Sequence, residues 1–499
     1  MNVFRKKSVE QTLAETGESG HALKRDLTWW DLAIMGVAVA VGAGIFSNGA
    51  QAAAFHAGPA VVLSFLIAGV VCGAAVMCYA EFASMIPVAG SAYTFTYTTV
   101  GEIVAWVIGW DLILEMLMAG SVVSKYWGVY LNQFFELIGW NINTNISIGS
   151  FDFDLAPIII VAFFTTLLVL GTKIGARVDG ALTVLKIAIV AFIVVVGFFY
   201  VKAENFTPFI PPSEPAASTD GSGLSAAMEQ PLWQWATGMS PSIYGVTGII
   251  SGAALVFFAF LGFDVVATAS EETINPKKNV PLGIGVGMGL IIVLYTLVAI
   301  VTTGMVSYKD LAKQKDPSLA VAFKMVGADW AAKIISLGII IGMATVVMVL
   351  LLGLTRVIFA MSRDGLLPRG LSHTGKRGTP VRLQIIVGVV MALIAACCNV
   401  GILSDMVNIG TLSAFTLVAI SIPIMRKKRP DLERSFKIPG NPWVPILIAL
   451  ANLWLMVNLS VLTWIRFVVW LIVGFAIYFG YGYRHARLGT GELEVAKQE

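Results

Sequence analysis

Long apolar stretches recur along the whole chain, separated by shorter polar ones. Each runs for about 20 residues, the length that an α-helix needs to cross the hydrocarbon core of a bilayer. The pattern predicts an all-α integral membrane protein with twelve transmembrane helices. We number the predicted segments 1 to 12; they are centred near residues 40, 72, 115, 163, 188, 257, 292, 345, 388, 412, 452 and 474.

Basic residues beside the segments predict the orientation, because short loops rich in lysine and arginine stay in the cytoplasm. They occur before segment 1 and in the run RKKRPDLERSFK at 426–437. We therefore expect both termini in the cytoplasm and the protein in the plasma membrane. Composition agrees with a membrane protein, with 57% hydrophobic and 13% charged residues and a net charge of +3. The basic residues border helices and form no separate domain, so we expect no nucleic-acid partner.

Other function classes lack their residues. The histidines fall near segment ends or in loops and form no nucleophile–base set, so we expect no enzyme, no metal site and no cofactor; they are His21, His56, His373 and His485. A phosphate-binding loop ending in GK[ST] does not occur in the sequence, which argues against ATP-driven pumping. A channel would need a repeated filter motif, and the sequence has none.

Two of the twelve segments are interrupted near their middle. Segment 1 contains AVGAGIF (Ala40 to Phe46), where Gly42 and Gly44 weaken a helix at membrane depth, and segment 6 is interrupted near Gly262, with Asp264 beside it. A broken helix exposes N–H groups that attract a carboxylate and carbonyls that accept from an ammonium. Interrupted segments in matching positions of two halves indicate a transporter's binding site. Glycines packed between helices are the plainer alternative.

Five motifs resemble those of the amino acid–polyamine–organocation (APC) superfamily of permeases, and within it the cationic amino acid transporter family in its microbial twelve-helix branch. In chain order they are GVAVAVGAGIFSNGA, EFASMIPVAGSAYTFTY, GWDLILE, FFAFLGFDVVATASEETINPKKNVPLGI and TRVIFAMSRDGLLP. The resemblance implies a five-plus-five inverted repeat of the leucine-transporter (LeuT) type, with helices 1 and 6 broken. It also implies proton-coupled or exchange transport of amino acids.

The resemblance carries roles onto residues of this chain. It places the substrate carboxylate on the N–H groups of Gly42, Ala43 and Gly44, and Phe260 over the substrate as a gate. It places the substrate ammonium on backbone carbonyls of both breaks, those near Val39 and Ala40 and those of Phe258, Ala259 and Leu261. Glu115 on segment 3 would contact the side chain or ammonium of the substrate, with an interhelical hydrogen bond as the alternative.

Lys186 lies about 15 Å into segment 5 at ~1.5 Å per residue. Burial disfavours the charged form of a lysine, which suits a proton carrier. The resemblance implies that its ammonium bridges helices 1 and 8, where sodium-coupled relatives bind a second sodium ion. We expect Lys186 to couple proton movement to transport; a permanent structural lysine is the alternative, and Glu115 is the other candidate carrier.

Met343 on segment 8 is expected to limit the size of the substrate's side chain, with plain packing as the alternative.

The predicted function is secondary active transport: proton-coupled symport of small neutral and possibly cationic L-amino acids. The alternatives are a sodium-independent exchanger, a sodium-coupled symporter and an amino-acid-sensing receptor. Expected partners are the amino acid, the proton, membrane lipid and possibly a small membrane protein. The expected domains are a cytoplasmic N-terminal segment (1–27), a transporter domain (28–485; repeat one about 28–201, extracellular loop about 202–246, repeat two about 247–425, helices 11–12 about 443–485) and a cytoplasmic tail (486–499).

Overall fold

The structure, a computed structural model, describes residues 5–7, 27–85, 92–140, 142, 144–148, 151–170, 173–215, 228–240, 242–262, 266, 273–314, 316–373, 379–428, 430, 434 and 436–490. Its main elements are apolar helices, numbered here in the order of the predicted segments. They are α1 (Trp29–Ala40), α2 (Val61–Met85), α3 (Glu102–Leu137), α4 (Leu155–Leu170), α5 (Lys173–Phe198), α6 (Gly245–Val256), α7 (Pro276–Met305), α8 (Asp329–Arg363), α9 (Val381–Cys397), α10 (Val400–Lys428), α11 (Trp443–Val457) and α12 (Val461–Ile477).

Shorter elements connect these helices. A π-helical turn (Gly44–Asn48) and the pieces Gly49–Ala52, Ala53–Ala57 and Gly58–Ala60 lead from α1 to α2, and Phe257–Phe260 forms a 3₁₀ turn after α6. The antiparallel strands β1 (Asn145–Ile148) and β2 (Phe151–Asp154) pair with Asn145 opposite Asp154. The two-residue strands β3 (Glu214–Pro215) and β4 (Ser242–Ile243) also pair. The remaining short helices are Ala92–Thr99, Ala203–Phe206, Leu232–Thr237, Tyr308–Leu311, Leu319–Met325, Arg369–Ser372, Tyr478–Gly482, Tyr483–His485 and Arg487–Thr490.

Six helical stretches are long and apolar enough to cross a membrane: Gly44–Phe82, Glu102–Leu137, Lys278–Met305, Asp329–Arg363, Val400–Lys428 and Val461–His485. Six further apolar helices are shorter: Trp29–Ala40, Leu155–Leu170, Val184–Phe198, Gly245–Phe260, Val381–Cys397 and Trp443–Val457. The all-α membrane class is therefore confirmed. The number of twelve crossings and the inverted repeat stay predictions.

Helix α1 begins where its sequence supplies a capping box. Thr28 accepts from the backbone N–H of Asp31, and the Asp31 carboxylate accepts from the N–H of Thr28 over 2.8 Å. These reciprocal bonds satisfy N–H groups that a helix start leaves without partners. The start of α1 is thus fixed close to the end of the polar N-terminal segment.

Helix α3 lies at the centre of the molecule and packs along α8 and α10. Close packing depends on glycines: a Cβ atom on Gly109 would come within 2.7 Å of the Met361 sulfur on α8. On the side facing α12, the rings of Trp110 and Trp470 stack with centroids 4.4 Å apart. Small residues at helix contacts allow the close approach on which membrane packing depends.

Candidate functional site

The breaks predicted in segments 1 and 6 are present and cross each other. Helix α1 ends at Ala40, and Val41 is extended with ψ at 94°. The 3₁₀ turn after α6 ends at Phe260, followed by extended Leu261 and by Gly262 with φ at +99°. That positive φ is one that glycine adopts at little cost. The two chain segments thus lose regular helical structure where they meet.

At the crossing, each break lies against a glycine of the other. A Cβ atom on Gly44 would overlap the backbone of Ala259, and one on Gly262 would overlap the side chain of Val39. Both glycines are therefore required by close approach. The sequence assigned only the N–H of Gly44 to the substrate carboxylate; in the structure its α-carbon also faces the second broken segment.

Tyr295 on α7 joins the two breaks, and sequence reasoning missed it. Its hydroxyl lies 2.7 Å from the carbonyl oxygen of Ala40 and 2.9 Å from that of Ala259. The side chain is fully buried, and its ring packs at 5.2 Å from that of Phe260. A breaking helix releases carbonyls that need partners, and the single proton of this hydroxyl is shared between one carbonyl of each break. A tyrosine within an apolar segment gives no signal that separates this role from ordinary core packing.

A pocket opens beside the crossing, between α3, α8 and the two breaks. Its cavity volume is about 40 Å³. The residues that line it are Val39, Ala40, Gly42, Ala43, Gly44, Glu115, Met116, Ala119, Val123, Phe258, Leu261, Gly262, Val346 and Leu350. The structure thus brings together eight of the eleven residues that the sequence suggested for the substrate.

Three residues suggested for the substrate lie outside the lining. Ala259 faces Gly44 and Tyr295 instead. Phe260 is fully buried and packs against Phe65 and Tyr295. A 3₁₀ helix has three residues per turn, so residues two apart point in different directions, and Phe258 is the aromatic residue of this turn that reaches the pocket. Phe260 therefore does not line the pocket in this arrangement, and its role as a gate stays a prediction.

Met343 is the third of these residues. It is fully buried, and the residues of α8 that line the pocket are Val346 and Leu350. Residues three apart share a helix face, so Met343 lies one turn from Val346 in the direction of the α8 N-terminus. Met343 therefore does not line the pocket in this arrangement, and its size limit stays a prediction.

Glu115 is the acidic residue of the lining, with 5% of its surface exposed. Beside it the wall is apolar, formed by Met116, Ala119 and Val123 of α3 together with Val346 and Leu350 of α8. A polar head group can thus meet backbone at the breaks while an apolar side chain meets α3 and α8. Asp264, the other acid noted in segment 6, lies outside the described residues, as do Glu271 and Glu272.

Lys186 connects α5 to α1 and lies against α8. Its ammonium donates to the carbonyl of Ala38 over 2.9 Å, and its side chain is 2% exposed. On the other side, a Cβ atom on Gly342 of α8 would lie 3.0 Å from the Lys186 Cγ. Ala38 belongs to the last turn of α1, where freed carbonyls and the negative end of the helix dipole favour a cation. The ammonium thus contacts helix 1 and the side-chain stem packs against helix 8; the predicted bridge between the two helices stays a prediction.

The N-terminal residues 5–7 close one end of the helix bundle. Arg5 donates to Glu102 at the start of α3 over 2.8 Å, and Lys7 donates to Asp364, just after α8, over 3.1 Å. The Tyr97 hydroxyl donates to the same Glu102 over 3.1 Å. Burial, reinforced by the charge of Glu102, raises the pKa of Tyr97 well above its usual value, so this hydroxyl stays a donor. Sequence reasoning used the basic N-terminal residues only for orientation.

The opposite end of the crossing is also closed. His56 Nδ1 lies 3.1 Å from the Ser251 hydroxyl of α6, and the Tyr244 hydroxyl donates to the carbonyl of Ala54 over 2.7 Å. The pocket therefore lies between two layers of polar contacts. Within the parts of the chain that the structure describes, no group of three or more His, Cys, Asp or Glu side chains is arranged to hold a metal ion.

Comparison with known proteins gives a consistent family. The sequence model of the amino acid permease family matches residues 27–479. The chain is 40% identical to the branched-chain amino acid permease of Bacillus subtilis (strain 168), over 98% of this chain and 99% of that protein. It is 39% identical to the methylthioribose transporter of the same organism, over the same shares of both chains. It is 36% identical to the vacuolar cationic amino acid transporter 2 of Arabidopsis thaliana, over 86% of this chain and 64% of that protein.

The motifs of the sequence, the crossed helix breaks and these matches agree. The chain belongs to the amino acid permease family of the amino acid–polyamine–organocation superfamily, as a membrane transporter.

Proposed function

We propose that this protein is a secondary active transporter that takes up small neutral L-amino acids with protons across the plasma membrane. The observation that carries the proposal is the pocket at the crossing, which combines backbone of both breaks with one acid and an apolar wall. Backbone N–H and carbonyl groups can bind both charges of an amino acid without a charged side chain for each.

The substrate carboxylate is assigned to the N–H groups of Gly42, Ala43 and Gly44. The first N–H groups of a new helical segment have no partner within that segment, and the positive end of its dipole favours an anion. All three residues line the pocket.

The substrate ammonium is assigned to carbonyls of Val39, Phe258 and Leu261, all of which line the pocket. The Ala40 carbonyl, also of a lining residue, shares the single Tyr295 proton with that of Ala259 and keeps a second lone pair, so it remains assigned to the ammonium as well; Ala259 lies outside the lining. The Phe258 carbonyl accepts weakly from the N–H of Leu261, over 3.4 Å, and a carbonyl has a second lone pair. It can therefore take an ammonium donor as well.

The side chain of the substrate is assigned to the wall of Met116, Ala119, Val123, Val346 and Leu350. This wall favours an aliphatic side chain, because apolar surface buried there leaves no polar group without a partner. The relative named as a branched-chain amino acid permease fits the same class. A cationic side chain could be taken as a weaker substrate by reaching Glu115.

Proton coupling is assigned to Lys186. The ammonium of a charged Lys186 is held by the Ala38 carbonyl of α1 while its stem packs against Gly342 of α8, whereas a neutral amine would hold α1 less strongly. Two arrangements that differ in affinity for a proton are what a proton gradient needs to drive a conformational change. The exchanger, the sodium-coupled symporter and the sensor are the alternatives to be tested.

Purified protein in liposomes tests the proposal. A radiolabelled panel should include leucine, valine, alanine and arginine, with methylthioribose as an unlabelled competitor because a relative bears that name. We expect uptake of small aliphatic amino acids into empty liposomes under an inward proton gradient and without sodium. Uptake that needs preloaded amino acid indicates an exchanger, a sodium requirement indicates a sodium symporter, and binding without flux indicates a sensor; each contradicts the proposal.

A further inference from the structure

Asp111 on α3 is a buried acid that the site described above does not use. It is fully buried, and one carboxylate oxygen accepts from the Ser413 hydroxyl of α10 over 2.8 Å. The other oxygen, Oδ1, is buried without a hydrogen-bond partner among the described residues. A carboxylate held by a single neutral donor in a membrane interior is costly, whereas a protonated carboxyl has one fewer charge to compensate.

The charged groups on the elements around Asp111 have their own partners or lie elsewhere. On α10, Arg426 pairs with Glu81, and Asp405 accepts from Thr463 at the other end of that helix. At the cytoplasmic end, Glu102 pairs with Arg5.

Helices α8 and α12 and the helix Ala92–Thr99 also bring titratable groups near α3. After α8, Asp364 pairs with Lys7 and accepts from Tyr93, and Arg356 of α8 is exposed. Arg466 belongs to α12. Tyr478, the residue that follows the end of α12, donates to Glu102. The Ser413 hydroxyl is the hydrogen-bond donor to the buried Asp111 carboxyl. No basic group of the described residues neutralises it.

The position of Asp111 connects it to the transport pathway. Glu115, which lines the pocket, is four residues further along the same helix face, about 6 Å at ~1.5 Å per residue. Glu102, in the cytoplasmic network, is nine residues earlier, or about 14 Å by the same rise. Asp111 therefore lies between the pocket and the cytoplasmic contacts that must open to release substrate inside.

We propose that Asp111 is a proton-binding site that holds its proton in the closed arrangement and releases it to the cytoplasm when the inner half of the pathway opens. Water that enters from the cytoplasm would solvate the carboxylate and remove the cost that burial imposes on it. The proton is restored from the outside when the outer half of the pathway opens, so each cycle carries one proton inward. The inference rests on the proposed transport cycle for its direction, and on the geometry of Asp111 and Ser413 for the site.

Infrared difference spectroscopy of the purified full-length protein tests the site without transport. The wild-type protein, titrated from acid to alkaline pH without substrate, should show the C=O band of a protonated carboxyl that Asp111→Asn lacks. Glu115→Gln, one turn away, is the matched control and should keep that band. An unchanged set of bands in Asp111→Asn overturns the proposal.

If Asp111→Asn does not fold, Ser413→Ala serves instead, because it leaves the carboxyl in place and removes its donor. The band should then move in frequency, and an unmoved band overturns the proposal. Replacement of sodium by potassium should leave the band in place; a band that appears only when sodium is removed makes this a sodium site and also overturns it.

Liposome transport separates this inference from the proposed function. In accumulation driven by an inward proton gradient, Asp111→Asn should move one proton fewer per amino acid than the wild type. An equal proton count overturns the release step. If the wild type shows the band yet no pH-driven uptake, the proton site stands and the proposed coupling fails.

Discussion

Gly44 of the first break and Ala259 of the second are in direct contact at the crossing, so closely that Gly44 has no room for a β-carbon. The amide nitrogen of Ala259 would lie 2.8 Å from such an atom. Because the obstacle is backbone and not a flexible side chain, a β-carbon could be accommodated only if one of the two broken segments moved. Gly44 also lines the pocket, so the position of the pocket depends on how closely the two broken segments pack.

Gly44→Ala should separate the two breaks. Overpacking of this kind costs about 1–3 kcal/mol, and the displaced 3₁₀ turn should carry Phe258 away from the pocket. We expect a lower melting temperature in detergent and loss of amino-acid stabilisation in a thermal-shift assay. Gly42→Ala is the matched control, because its Cβ would meet Val346 at an ordinary 3.6 Å and the fold should be kept. Equal stabilities of the two variants would contradict the crossing.

Tyr295→Phe should weaken the connection between the breaks without changing the volume of the core. The ring stays, but the carbonyls of Ala40 and Ala259 lose a shared donor, and a buried acceptor without a partner costs about 1–3 kcal/mol. We expect a stability loss of that size by denaturant titration or thermal shift. Thr296→Val is a control on the neighbouring position, since that hydroxyl bonds within its own helix to Ile292. A Tyr295→Phe protein as stable as the control would show that the hydroxyl contributes little.

The sequence predicted the parts of this site whose residues are exceptional in a membrane helix. Glycines crowded at Gly42 and Gly44, and a lysine at Lys186, carry costs that ordinary packing does not explain, so they indicated the first break and a buried lysine with a role of its own. Tyr295 and Val346 are ordinary residues in apolar segments, and their roles depend on which way each helix faces. That the side chain of Phe258 and not that of Phe260 lines the pocket has a similar cause, because the 3₁₀ turn changes the direction of successive side chains.

Val346→Ala should widen the range of substrates towards larger side chains. Val346 lines the pocket from α8 and lies near Gly42, so removal of two methyl groups enlarges the space beside the substrate. We expect relative uptake of phenylalanine or arginine to rise against that of alanine in a radiolabelled panel. Met343→Ala is the control: it should lower stability through a core cavity, by about 2–5 kcal/mol, with the substrate order unchanged. A shift of substrate order in Met343→Ala alone would return the size limit to Met343.

A proton gradient should act on transport by making and breaking the hydrogen bond between Lys186 and the carbonyl of Ala38. Lys186→Ala removes the donor to the last turn of α1, so proton-driven accumulation should be lost. Binding should change less, because the substrate is assigned to backbone at Gly42–Gly44 and to carbonyls near Phe258.

Lys186→Arg separates a proton carrier from a permanent strut. Arginine keeps its charge at all physiological pH values, so α1 and α8 would stay bridged and the proton could not be released. The longer side chain must also fit against Gly342, where Lys186 already packs closely, so a thermal-shift measurement has to establish first that the variant is folded. A folded Lys186→Arg protein should bind amino acid yet accumulate none under a pH gradient in liposomes. If it accumulates substrate as the wild type does, Lys186 is structural, and the coupled proton is carried by an acid of α3.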